Sequence, residues 1–152
     1  MALHQDLTSL ELFAGGGGLA LGASKCGVRG LLAVEWDEDS CDTLRLNSTQ
    51  IFHDRGAHVW HGDVKDFDAK PFSNKLDLLL GGPPCQPFSN GGQKSGFSDS
   101  RDMFPEYIRI LNETRPKAFL IENVKGLSSA RFSEYLSYIK LQLQYVEAAQ
   151  RL

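Results

Sequence analysis

In Thr8-Ser9-Leu10-Glu11-Leu12-Phe13-Ala14-Gly15-Gly16-Gly17-Gly18, a strand-like segment runs straight into a run of glycines. The first six residues read as a strand, and Leu19 to Lys25 beyond the glycines reads as a helix. Glycines at such a junction permit a tight strand-to-helix turn and a close backbone approach to a bound group, while the helix amino end offers free N–H donors. Gly15, Gly17 and Ala20 fit the G-x-G-x-x-G/A pattern. Glu35 lies 20 positions past Gly15, at the end of a second apolar run, Leu31-Leu32-Ala33-Val34. A carboxylate there can accept both ribose hydroxyls of an adenosine, and Trp36 beside it offers an indole face for adenine. A glycine-rich turn with a surface Glu and a core Trp fits the same residues.

A second segment places chemistry at the end of another strand. Leu76-Asp77-Leu78-Leu79-Leu80 is a short apolar run, and Gly81-Gly82-Pro83-Pro84-Cys85-Gln86-Pro87-Phe88-Ser89 follows it. The prolines fix the backbone around Cys85 at the carboxyl edge of a strand, where open α/β sheets bind ligands. This is the posture of a nucleophile; a tight turn around an inert buried thiol is the alternative.

The remaining elements alternate. Asp37 caps a helix from Glu38 to about Asn47, with Cys41 and Leu44 on its apolar side. Ala57 to His61 reads as a third strand delivering Asp63, and Val64 to Lys75 as a connection with a short helical turn. Gly91, Gly92 and Gly96 mark Asn90 to Ser100 as a mobile loop beside the site. Asp102 and Pro105 open a helix that buries Tyr107, Ile108 and Leu111, Pro116 ends it, and Ala118 to Ile121 is a fifth strand ending at Glu122. Phe132, Leu136, Ile139, Leu143 and Val146 then recur at helical spacing. Alternating strands and helices predict a parallel sheet with right-handed crossovers, whose loops gather the glycine turn, Glu35, Trp36, Asp63, Cys85 and Glu122 on one rim.

At 152 residues and 41% hydrophobic, the chain has length for one core, read as one domain. A formal charge of −3 with dispersed Lys and Arg predicts a poor grip on phosphate; Arg101 and Lys94 are the residues that can touch it or simply keep a loop soluble. Three cysteines without C-x-x-C spacing indicate neither a disulfide framework nor a zinc site, and Cys26 and Cys41 read as packing residues. His53, His58 and His61 lack a convincing fourth ligand, so no metal is expected. The amino-terminal segment has no secretory pattern and no apolar run is long enough to span a bilayer, which points to a reducing cytoplasm.

Together these residues resemble the DNA (cytosine-5) methyltransferase family, from about Leu7 to Leu127. Phe13, Ala14, Gly15, Gly16, Gly17 and Gly18 are similar to its S-adenosylmethionine loop, Glu35-Trp36-Asp37 to its ribose and adenine site, and Gly62-Asp63-Val64 to its second adenine contact. Gly82 to Ser89 resembles the catalytic loop, which adds Pro83 to the cofactor-binding set, and Ser100-Arg101-Asp102-Met103-Phe104 and Glu122-Asn123-Val124 complete the order. The resemblance implies a Rossmann-like S-adenosylmethionine-dependent methyltransferase fold with a mostly parallel sheet, incomplete on its carboxyl-terminal side. It implies methyl transfer to C5 of cytosine in duplex DNA, with S-adenosylhomocysteine as by-product. Cys85 would add to cytosine C6 while Glu122 holds N3, with Gln86, Ser89 and Asn123 around the base, which must first leave the stack.

Members of that family continue further, with an arginine motif, a recognition region and terminal segments that complete pocket and sheet. The 152 residues therefore read as a partial catalytic domain without a target-recognition domain, whose fifth strand keeps an unpaired edge. Two functions compete: a methyltransferase half, active with a second polypeptide, or a non-catalytic cofactor-binding or interaction remnant. An adenine amino-methyltransferase is a third, and gains nothing from Cys85.

Overall fold

Leu10 and Leu12 on β1 (Leu7–Leu12) have no exposed surface, and alternate with Ser9 and Glu11, which are also buried. A strand buried on both faces belongs at the centre of a sheet. The computed structural model describes residues 7–54, 56, 58–84 and 102–145, and in it β1 lies at the middle of five strands ordered β3-β2-β1-β4-β5. The others are β2 (Val28–Glu35), β3 (Val59–His61), β4 (Leu78–Gly81) and β5 (Ala118–Ile121), and every pairing is parallel. Strand order reverses between β1 and β4, and the crevice beyond their carboxyl ends is the ligand position of such sheets.

Helices cover both faces. On one, α1 (Gly18–Lys25), α2 (Glu38–Leu46) and α3 (Ser48–Ile51) bring Ala20, Leu44 and Ile51 against Ala33. On the other, α4 (Phe104–Thr114) sets Tyr107, Ile110 and Leu111 against Leu10, Leu12 and Leu79. The last helix, α5 (Ser133–Gln144), seats Tyr135 and Ile139 against Phe104 and Leu127. Gly81 is required where α4 meets the sheet, since a Cβ there would stand 2.8 Å from the Tyr107 ring and 3.0 Å from Leu12 O.

Most expected elements form within a residue or two, with informative exceptions. β2 starts at Val28, earlier than its apolar run, because Val28, Arg29 and Gly30 pair with Leu7, Thr8 and Ser9. Phe13 lies beyond β1 with φ 56°, turning the chain into the glycines. The expected 38–47 helix stops at Leu46, and Asn47 leads directly into α3. Asp102 precedes the cap position of α4, which Met103 occupies; its Oδ1 accepts from Phe104 N at 3.1 Å, and its Oδ2 accepts from the Tyr135 hydroxyl. Cys41 is buried as expected, but Cys26 is exposed at the end of α1 and does no packing. Tyr135 faces the core beside the predicted Ile139, and Val146, Ala57 and the 90–100 loop lie outside the described residues. No helix among the described residues is long and apolar enough to cross a membrane.

Candidate active site

The glycine turn is held from two sides by carboxylates. Glu35, 7% exposed at the end of β2, accepts Gly15 N–H on Oε2 at 2.7 Å and the N–H groups of Trp36 and Asp37 on Oε1 at 2.9 Å each. Glu11 lies beneath the turn and accepts Ala20 N–H at 3.2 Å. The residue at the cap of α1 is Gly17, which has no side chain to satisfy that helix end, so a neighbouring strand supplies the oxygen. Burial pushes the Glu11 pKa up to about 8; the Ala20 N–H opposes this and the Glu35 charge adds to it.

Among the described residues, nothing crowds two of these glycines. A Cβ on Gly15 or Gly18 would meet nothing within 4 Å, whereas one on Gly17 would stand 2.6 Å from Leu44 Cδ2 and 2.7 Å from Ile51 Cδ1. Gly15 and Gly17 both have positive φ. Trp36 projects at the rim with 75% of its surface exposed, so its indole face is available and it is not a core residue. Asp63 follows β3, its Oδ1 accepting from Lys65 N at 3.0 Å, while Val64 is turned into the core. The glycines, the buried carboxylate and the exposed aromatic ring are chemical groups that suit an adenosine-bearing cofactor.

The second half of the site joins the ends of β4 and β5. Glu122 N donates to Gly81 O at 3.0 Å, and a Cβ on Gly82 would stand 3.3 Å from Glu122 Oε2, so only a hydrogen there leaves the carboxylate ordinary room. Asn123 Nδ2 donates to Pro83 O at 2.8 Å, and its Oδ1 accepts from Val124 N at 2.9 Å. Pro83 is fully buried and Pro84 exposed, which fixes the backbone as it leaves the sheet. The expected residues Cys85, Gln86 and Ser89, with Lys94 and Arg101, lie outside the described residues. Phe13, Ala14, Gly15, Gly16, Gly17, Gly18, Glu35, Trp36, Asp63, Pro83, Glu122 and Asn123 all lie at or just past the carboxyl ends of the parallel strands.

The three histidines make separate contacts. His53 Nε2 meets Ser24 Oγ at 3.0 Å, His58 joins Leu31 O and Asp54, and His61 Nε2 meets Trp36 O at 3.0 Å. Two residues absent from the sequence expectations bear on the site. Glu11 could have been noticed as a charge alternating with Leu10 and Leu12 in a central strand; Arg109, on α4, gave no local signal.

Residues 7–147 match the model of the C-5 cytosine-specific DNA methylase family. Type II methyltransferase M.NgoMIV of Neisseria gonorrhoeae is 43% identical over 137 residues, covering 90% of this chain and 42% of the relative. Type II methyltransferase M.Eco47II of Escherichia coli is 44% identical over 134 residues, covering 88% of this chain and 31% of the relative. The chain thus spans less than half the length of either. Dnmt2 methyltransferase of S. pombe, at 24% identity and a TM-score of 0.61 over 88% of this chain and 41% of that one, has the same fold. The chain belongs to the C-5 cytosine-specific DNA methylase family.

Proposed function

We propose that this chain supplies the cofactor site and nucleophile for methyl transfer from S-adenosylmethionine to C5 of cytosine in duplex DNA. The observation that supports the reading is that two hydrogen-bonded groups stand at the carboxyl ends of a parallel sheet on either side of its switch point: Glu35 on the glycine turn, and Glu122 and Asn123 against Gly82 and Pro83. Glu35 would accept the ribose hydroxyls, Trp36 would stack on adenine, and Asp63 would accept its amino group beside Val64. The turn from Phe13 to Gly18, with Pro83 opposite, would bound the rest. The bound cofactor supplies a methyl group on a positively charged sulfur.

Cytosine C5 is a weak nucleophile within its aromatic ring. The Cys85 thiolate adds to C6, and the electron pair displaced from the C5–C6 bond makes C5 nucleophilic. Glu122 hydrogen-bonds N3 and relieves the charge developing there, while Gln86, Ser89 and Asn123 hold the base and its loop. Once C5 bears the methyl group, a base takes its proton and the S–C6 bond breaks, which restores the ring and the thiolate. Asn123, tied to Pro83 O, holds the segment just past β5 that carries Glu122 beside Pro83, two residues before Cys85 in the sequence.

The reaction requires a flipped base, which costs a few kcal/mol. With a net charge of −3 these residues supply little attraction for phosphate, so further segments of the kind longer relatives contain, in the same or a second polypeptide, would hold the DNA. The test is tritiated methyl transfer to duplex DNA by the 152-residue chain, alone and with the remaining segments of a relative. Label recovered as 5-methylcytosine only in the complemented reaction supports the reading; label in N6-methyladenine, or none with complementation, contradicts it.

A further inference from the structure

Arg109 reaches from α4 to the segment that follows β3. Its Nη2 donates to Val64 O at 2.9 Å and its Nη1 to Phe67 O at 3.3 Å. The same guanidinium is aimed by two carboxylates on its own helix, Glu106 on Nε at 2.7 Å and Glu113 on Nη1 at 3.0 Å. Glu113 extends the connection, since its Oε2 accepts Ala69 N–H at 3.3 Å. Val64, Phe67 and Ala69 are buried, so their side chains point into the core while backbone groups of the segment need partners from α4. A planar fork with five donors can serve two carbonyls and two carboxylates together, which a lysine ammonium cannot.

The turn so held begins at Asp63. Its carboxylate caps the 3₁₀ turn Val64–Asp66 through Lys65 N, so its direction follows the turn, and Gly62 N is tied to Glu35 O at 2.9 Å. We propose that Arg109 is a positioning residue for the adenine end of the cofactor site, fixing the turn that presents Asp63. The proposal rests on the reading of Asp63 as an adenine contact. Helix α4 is thereby more than a cover for the sheet: it sets the geometry of a recognition group outside its own face.

A general loss of stability would weaken all nucleoside ligands together, whereas a displaced Asp63 would lose discrimination at the adenine amino group. Calorimetry should therefore compare S-adenosylhomocysteine with S-inosylhomocysteine, which has a carbonyl in place of that amino group, well below the melting temperature of each variant. The unaltered chain should prefer the adenosyl ligand by about tenfold, and Asp63→Ala should remove most of this. Arg109→Met should cut the ratio about fivefold, with no further fall in the double variant, because both changes act through one group. Should Arg109→Met fold poorly, Arg109→Lys, which retains the charge, should show roughly half the logarithmic loss. An unchanged ratio in Arg109→Lys and Arg109→Met, with Asp63→Ala abolishing it, overturns the proposal and leaves the cofactor reading intact. A ratio untouched by Asp63→Ala, or no binding by the unaltered chain, overturns both.

Discussion

Gly15 and Glu35, 20 residues apart, are joined by a 2.7 Å hydrogen bond from the Gly15 amide to Oε2 of the carboxylate. With Trp36 and Asp37 N–H on Oε1, three of about four acceptor positions are filled by backbone. The carboxylate thus orders the glycine turn by itself. On the proposed reading a ribose diol needs two acceptors there, so Gly15 would share or yield its place to it.

Replacing this carboxylate should affect binding more than replacing the neighbouring ring. Glu35→Gln removes charge from several charge-assisted bonds at once and should weaken S-adenosylhomocysteine binding by about 10- to 100-fold. Trp36→Ala removes one exposed stacking surface and should cost about 1–2 kcal/mol. Titration calorimetry gives both; equal affinities for Glu35→Gln and the unaltered chain would remove Glu35 from the cofactor site.

Glu11 gives the pH dependence of stability a sign. Between the ordinary glutamate value of 4.5 and about 8, the folded chain holds a proton that the unfolded chain has released. Stability therefore falls as pH rises through that window, by at most about 1.4 kcal/mol per pH unit. Asp37, Asp54 and Asp77 are shifted downward, chiefly by hydrogen bonds, so their contributions are lost only as pH falls below the ordinary aspartate range. Glu11→Gln keeps an oxygen for Ala20 N–H and cannot ionise. Its melting temperature should vary less between pH 5 and 8, and a slope equal to that of the unaltered chain would contradict the buried neutral carboxyl.

Neighbouring glycines should respond oppositely to one methyl group. At Gly17, φ is 85° and a Cβ would collide with Leu44 and Ile51, so Gly17→Ala should destabilise by about 2–4 kcal/mol. Gly18 begins α1 with open space around it, and Gly18→Ala should be neutral or slightly stabilising. Chemical denaturation separates the two; similar losses would mean the turn is not shaped as described.

Local patterns made much of this legible. The strand before the glycines, the capping Asp37 and the exact span of β5 before Glu122 follow from alternation, a polar cap and bounded apolar runs. What was hidden depends on contacts distant in sequence. The early start of β2 is set by pairing with β1, and Arg109 gains its place from carbonyls 42 and 45 residues away. Cys26 misled because a free thiol usually packs, whereas a helix end put this one in solvent. The order of strands also required the fold, since alternation alone leaves open which edge receives each crossover.

The proposed chemistry depends on Cys85 attacking cytosine C6. Duplex DNA bearing 5-fluorocytosine prevents the final proton loss, so with cofactor and the complementing segments of a relative it should trap the chain covalently. Peptide mapping of that adduct by mass spectrometry should place the DNA on Cys85, and Cys85→Ser should abolish it while Cys26→Ser and Cys41→Ser retain it. An adduct that persists in Cys85→Ser, or maps to Cys26 or Cys41, would contradict the account.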